Sequence, residues 1–250
     1  MPSPHPCGTL LISIDLEHSH PLRRVSDHRT MDDVVRRLSD LLSEQQIAAT
    51  WCVADPAVSA ATEHLLAQDS RHEMAILGDS TWVGKEAGRK RFANELTRRT
   101  LSARAAGLTA TTLALQEVEL DDHLDLLVKH GISAIRPTTG SKLQGAAVSP
   151  LRYGLWSLAP SARISGGDRS VLRLMRRACA GGETFHLVID APGLAKWRGR
   201  FEGPLRRSLK HAANACREGR LTITTLSGLT EQLAQPRATQ PAHSILRPAA

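Results

Sequence analysis

Acidic and imidazole side chains gather at the end of an apolar run near the N-terminus, Gly8-Thr-Leu-Leu-Ile-Ser-Ile-Asp-Leu-Glu-His-Ser-His20. A short, nearly continuous apolar run fits a strand buried on both faces of a mostly parallel sheet. In such sheets the carboxyl end of a strand is where chemistry is usually placed. Asp15 and Glu17, followed by His18 and His20, therefore have the composition of an active site or of its remnant. Carboxylates there could take or give a proton or hold a cation. For His18 and His20, the plainer reading is that of exposed loop imidazoles.

Elements able to carry such an edge follow along the chain. Strand-like segments are expected at Thr9–Asp15, Ile47–Val53, Glu73–Leu77, Thr109–Leu115, Ser133–Arg136, Leu155–Leu158, Thr184–Ile189 and Leu221–Thr225. Helices are expected between them. Thr30–Glu44 has Thr30 as N-cap, and Pro56–Gln68 is capped by Asp55 with proline at its first position. Lys85–Ala106 and Asp121–His130 run into Gly107 and Gly131, glycines suited to end a helix. Arg169–Ala180, Pro204–Arg217 and Ser227–Gln235 complete the set. The segment Thr138–Gly154, rich in Gly, Ser and Pro, reads as a long loop. The tail 236–250 contains prolines without periodicity and is expected to be disordered. Strands alternating with helices in units of about 25–35 residues predict an α/β fold with about seven parallel strands. That number favours a distorted (β/α) barrel over an open sheet, with residues 1–235 as one domain.

Composition narrows the function classes. With 41% hydrophobic residues but only 3% aromatic, the core must be filled by Leu, Ile, Val and Ala. No stretch approaches the roughly 18 apolar residues that cross a bilayer. No charged and then apolar leader is evident, so a cytoplasmic location is the expectation. Four cysteines, Cys7, Cys52, Cys179 and Cys216, stand far apart without zinc spacing and read as reduced thiols at or near the core. The net charge of +7 is spread over pairs such as Arg36-Arg37, Arg98-Arg99, Arg176-Arg177 and Arg206-Arg207. On predicted helices such pairs belong to solvated faces, and no nucleic-acid motif or stacking platform accompanies them, so no specific nucleic-acid partner is expected.

The order of the motifs resembles the NodB-homology polysaccharide deacetylases, carbohydrate esterase family 4. The resemblance rests on Asp15-Leu-Glu17, Ile47-Ala-Ala-Thr-Trp-Cys-Val53, Arg71-His-Glu-Met-Ala-Ile-Leu-Gly78, Ile135-Arg-Pro-Thr-Thr-Gly140 and Phe185-His-Leu-Val-Ile-Asp190, and covers residues 8–235. It implies a distorted (β/α) barrel and metal-dependent hydrolysis of acetyl groups from glycans. By that resemblance Asp15 is the catalytic base, Glu17 the acidic metal ligand and Arg136 the arginine that holds the base. Ala49-Thr50-Trp51 is a packing strand, and His72-Glu73 opens the second motif. The two metal histidines that the family has next are replaced by Leu77 and Thr81, and its acid histidine by Asp190.

Metal-assisted amide hydrolysis needs a cation that lowers the pKa of water and polarises the carbonyl. With the imidazoles gone, an oxygen-rich set of Asp15, Glu17, Asp79 and Asp190 would suit Mg or Mn rather than Zn, or there is no metal. Asp79-Ser80 can equally cap a turn. Asp15 and Arg136 could form a fold-maintaining ion pair or a functional pocket. His72 and His186 read as hydrogen-bonded core histidines. Trp82 and Trp156 could floor a sugar site or simply pack.

The leading expectation is a deacetylase-like hydrolase of carbohydrate metabolism that acts on non-peptide carbon–nitrogen bonds of a glycan or small amide. Its catalytic residues would be Asp15, Arg136 and Asp190, its metal ligands Glu17 and Asp79, and its substrate contacts Trp82 and Trp156. The alternative is a catalytically silent relative that binds a glycan or a partner protein. A polyanion-binding protein is a third reading.

Overall fold

The computed structural model describes residues 7–16, 25–56, 71–120, 122–138, 147–166, 170–197 and 200–235. The strands are β1 Gly8–Asp15, β2 Thr50–Val53, β3 Glu73–Gly78, β4 Thr112–Leu115, β5 Ala134–Arg136, β6 Val148–Pro150, β7 Trp156–Leu158, β8 Ala162–Ile164, β9 Thr184–Asp190 and β10 Leu221–Thr224. The helices are α1 Val25–Glu44, α2 Gly88–Ala105, α3 Leu124–Lys129, α4 Ser170–Gly181, α5 Ala191–Ala195, α6 Glu202–Arg217 and α7 Leu226–Ala234.

One sheet runs β6-β7-β5-β4-β3-β2-β1-β9-β8, with β10 also paired to β1. Every pairing is parallel except β6 with β7. The sheet is curled into a half-barrel with flanking helices, the NodB-like barrel architecture that the order of elements predicts.

Alternation within each strand explains the layering. Leu10, Ile12 and Ile14 of β1, Trp51 and Val53 of β2, Ile76 of β3 and Leu187 and Ile189 of β9 join one apolar cluster. Val34, Leu38 and Leu41 of α1, Leu96 of α2 and Leu209 of α6 belong to the same cluster, so this is the helix-covered face. The intervening side chains line the concave face and are small or polar: Ser13, Asp15, Thr50, Glu73, Thr112, Arg136 and His186 are all buried. Cys52, Ala75, Leu77 and Ala114 form a separate small cluster beside them. A concave interior cannot hold bulky side chains from every strand, and the small residues leave room for buried polar ones.

The curl is visible in individual contacts. β1 and β5 are separated by three strands, so on a flat sheet they would lie about 19 Å apart at the usual spacing of about 4.8 Å. Yet Arg136 Nη1 reaches Asp15 Oδ1 at 2.5 Å. Strands β7 and β9, remote from each other in the sheet order, also approach: His186 Nδ1 on β9 lies 3.1 Å from the Leu158 carbonyl on β7. Ser161 N–H donates to the His186 carbonyl at 2.8 Å, and His186 N–H donates to Ser161 Oγ at 3.1 Å, extending the pairing of β8 with β9.

Several expected boundaries move. α1 begins at Val25 rather than at a Thr30 cap, since no Gly or Pro interrupts Ser26–Arg29. The expected loop Thr138–Gly154 contains β6 and a 3-10 turn at Arg152–Gly154. β8 and α5 have no counterpart in the sequence reading, each being too short to show a period. Gly107 (φ 78°) and Gly131 (φ 80°) occupy the left-handed conformation expected of helix-ending glycines. The expected helix beyond Pro56 and the tail 236–250 lie outside the described residues. Among the described residues no helix is long and apolar enough to cross a membrane.

Candidate active site at the carboxyl ends of β1, β5 and β9

Asp15 closes β1 with no exposed surface, and Arg136 closes β5 at 1% exposure. The same Arg136 Nη1 donates to Ser13 Oγ at 3.1 Å. Burial alone would weaken the protonated guanidinium, but the Asp15 charge, the nearby Cys52 and the hydrogen bond to Asp15 together offset it and raise the Arg136 pKa.

Behind this pair stands His186, wholly buried. Its Nδ1 lies 3.1 Å from the Leu158 carbonyl, which can only accept, so Nδ1 carries the proton. Nε2 then accepts from Ser13 Oγ at 2.9 Å. A directed chain runs from Arg136 through Ser13 to His186 and on to Leu158. Burial, reinforced by the nearby Arg136 charge, pushes the His186 pKa down to about 3, so the ring is neutral.

Toward solvent, Asp15 meets a second cation that the sequence reading did not single out. Arg163 of β8 sets Nη1 3.2 Å from Asp15 Oδ2 and Nη2 3.7 Å from Asp190 Oδ2. Asp190 ends β9 as the direct register partner of Asp15 and also accepts Gly193 N–H at 3.1 Å, capping α5. The result is a chain of alternating charge, Arg136–Asp15–Arg163–Asp190. Its inner end is sealed, while the Arg163 and Asp190 side chains are 35% and 21% exposed.

Two glycines let this rim close up. A Cβ on Gly193 would come within 2.5 Å of Ser165 Cβ and 2.8 Å of Asp190 Oδ2. A Cβ on Gly166 would stand 2.5–2.7 Å from the indole of Trp197. Trp197 therefore lies against the backbone just past β8, and it is 45% exposed. Ser165 packs against Gly193 beside Asp190 while its neighbour Gly166 packs against Trp197, so the indole stands at the segment that leads away from Arg163.

The remaining sequence candidates divide. Asp15, Arg136 and Asp190 converge. Glu17, His18, His20 and Gly140 lie outside the described residues. Asp79 Oδ1 accepts Thr81 N–H at 2.7 Å, and its carbonyl accepts the N–H groups of Trp82 and Val83, so it organises the turn after β3. Trp82 corrects the expectation of a sugar floor. It is 1% exposed, stacks on Phe92 at 5.7 Å and 14°, and carries the Arg99 guanidinium 4.7 Å from its centroid. That Arg99 is itself buried, unlike a helix-surface arginine. Trp156 also packs, joining Leu11, Ala134, Leu158, Leu226 and Leu229 at the foot of α7. Leu77 is buried among Cys52, Ala75 and Ala114, whereas Thr81 is exposed.

His72 Nδ1 accepts Ala49 N–H at 3.2 Å. Glu73 is buried and accepts from Thr50 Oγ1 at 2.8 Å, Thr112 Oγ1 at 2.5 Å and Ser227 N–H at 2.9 Å. It thereby holds the start of α7. Cys52 is buried, which raises its pKa, while Cys7 and Cys216 are exposed rather than in the core.

Among the described residues the donor set does not fit a resident divalent metal. Asp15 is flanked by two guanidinium groups, Asp190 shares one of them, and Asp79 is taken up by its own turn. Among the described residues no group of three or more His, Cys, Asp or Glu side chains comes together as metal ligands.

No family model and no curated protein matches the sequence. Solved structures share its fold. A candidate polysaccharide deacetylase from Mycobacterium smegmatis aligns over 100% of this chain and 97% of its own, with a TM-score of 0.68 and 18% identity. The 4-alpha-glucanotransferase of Thermococcus litoralis aligns over 92% of this chain and 41% of its own, with a TM-score of 0.60 and 12% identity. A carbohydrate esterase family 4 pseudoenzyme from Bacillus anthracis aligns over 90% and 66%, with a TM-score of 0.52 and 11% identity. At these identities the shared property is the polysaccharide deacetylase fold.

Proposed function

We propose that the protein serves carbohydrate metabolism by engaging an acylated glycan at the rim formed by Arg163, Asp190 and Trp197. One observation carries the reading: the Arg136–Asp15–Arg163–Asp190 chain reaches solvent beside an exposed indole at the carboxyl ends of the strands. A sugar ring suits such a rim, since its C–H face packs on an indole while its hydroxyl and amide groups hydrogen-bond to guanidinium and carboxylate. The use of this fold by carbohydrate-acting proteins supports the same class of ligand.

Binding without hydrolysis is the mode that the geometry favours. Asp15 has no exposed surface, and both its oxygens face guanidinium groups. The hydrolytic reading is supported by the Asp15–Arg136 pair itself, the base and arginine of a deacetylase-like site. In that reading Asp15 takes a proton from water, Arg136 orients it and Asp190 protonates the leaving nitrogen. Glu17 would be an added acidic ligand for a cation, and the unit at work would be residues 1–235.

Calorimetry and acetate release with acetylated chito-oligosaccharides test both modes. Saturable binding that weakens in Asp190→Asn, without acetate release, is the expected result. Acetate release lost in Asp15→Asn would establish the hydrolytic mode instead. The absence of both binding and release across acetylated glycans would overturn the proposal.

A further inference from the structure

We propose that Arg163 is a built-in cation that occupies the acidic corner and keeps it closed to divalent metals. Asp15 and Asp190 are register partners on adjacent parallel strands, about 4.8 Å apart by the usual strand spacing. Two carboxylates at that separation repel each other and need a cation between them. Arg163 supplies it, with one guanidinium nitrogen toward each acid, at 3.2 and 3.7 Å.

The two arginines are not equivalent. Arg136 is sealed in the interior and bound to Ser13 as well as Asp15. Arg163 comes from a three-residue strand, and its side chain is 35% exposed. Asp15 Oδ2, which faces it, has no aligned hydrogen bond even though the whole side chain is buried. The contact is a charge pairing without directional fit, so a small hard cation could replace it. Without Arg163, Oδ2 of Asp15 and the free face of Asp190 would present oxygen donors to solvent, a set suited to Mn or Mg completed by water.

Manganese chloride is the probe, followed by calorimetry and thermal melting of the full chain. The wild-type protein should show no saturable Mn binding and no change in Tm with Mn or with a chelator. Arg163→Ala should bind Mn saturably, with Tm rising about 3–6 °C at tenfold excess over Kd. Adding Asp190→Asn to that variant should abolish the gain. Arg163→Met, which keeps the length and packing of the side chain, should behave like the alanine variant and serves if the latter does not fold. Stoichiometric Mn binding by the wild type that is lost in Asp190→Asn would overturn the inference. So would folded Arg163 variants that remain indifferent to Mn.

Discussion

Asp15 and Arg136 meet at 2.5 Å although three strands of the sheet separate them. The contact is both a consequence of the curl and a lock on it: without Asp15 the Arg136 charge is buried with no counter-charge, and without Arg136 the buried Asp15 keeps only the partly exposed Arg163. Arg136→Met should therefore destabilise the fold by about 3–5 kcal/mol. Urea unfolding of the variant against wild type measures this. A change below about 1 kcal/mol would mean that Arg163 alone satisfies Asp15.

Neutral, buried His186 should make stability depend on pH. Its folded pKa is about 3, whereas an unfolded histidine titrates near 6.5, so the unfolded chain binds the extra proton between these values. The sign follows: stability is independent of this group above about pH 6.5 and falls as the pH drops below it. The slope contributed is about 1.4 kcal/mol per pH unit. Denaturation midpoints between pH 7 and 5, compared with those of His186→Asn, isolate it. Parallel profiles for the two proteins would assign the acid sensitivity to other groups.

Glu73 anchors the start of α7 through three donors, two threonine hydroxyls and the Ser227 amide. In Glu73→Gln one carboxylate oxygen becomes an NH₂ group facing donors that it cannot satisfy. A loss of about 1–3 kcal/mol is expected, with faster amide exchange through Leu226–Ala234. Unchanged protection of that helix would show that its apolar contacts hold it without the carboxylate.

Trp197 and Gly166 should act as one unit in ligand binding. Alanine at 166 would force its Cβ into the indole and push the ring from its place. Gly166→Ala and Trp197→Ala should each weaken glycan binding by about 10-fold, and the double variant should do little more. Stability should change by no more than about 1 kcal/mol, because the indole is half exposed. Additive losses in binding would assign the two residues separate roles.

The alternation of strands and helices, the apolar run ending at Asp15 and the helix-ending Gly107 and Gly131 were all legible in the amino-acid order, because period and turn chemistry are local properties. That a buried Asp15 demands a counter-charge was legible too, while its pairing with Arg136 in particular was what the resemblance to the deacetylase motifs implied. Arg163 was not legible. It sits in a three-residue strand between Pro160 and Gly166 that has no periodicity, and its role exists only because β8 is laid beside β9. Trp82, Trp156 and Trp197 look alike in one dimension. Only packing separates the two rings taken into the apolar interior from the one held at the rim by a close glycine. The sequence by itself determined that a carboxylate ends the buried strand β1 and needs a counter-charge, but not that Arg99 is buried. Tertiary structure alone decided how the buried charges neutralise one another, because that depends on the curl that brings distant strand ends within ion-pair reach.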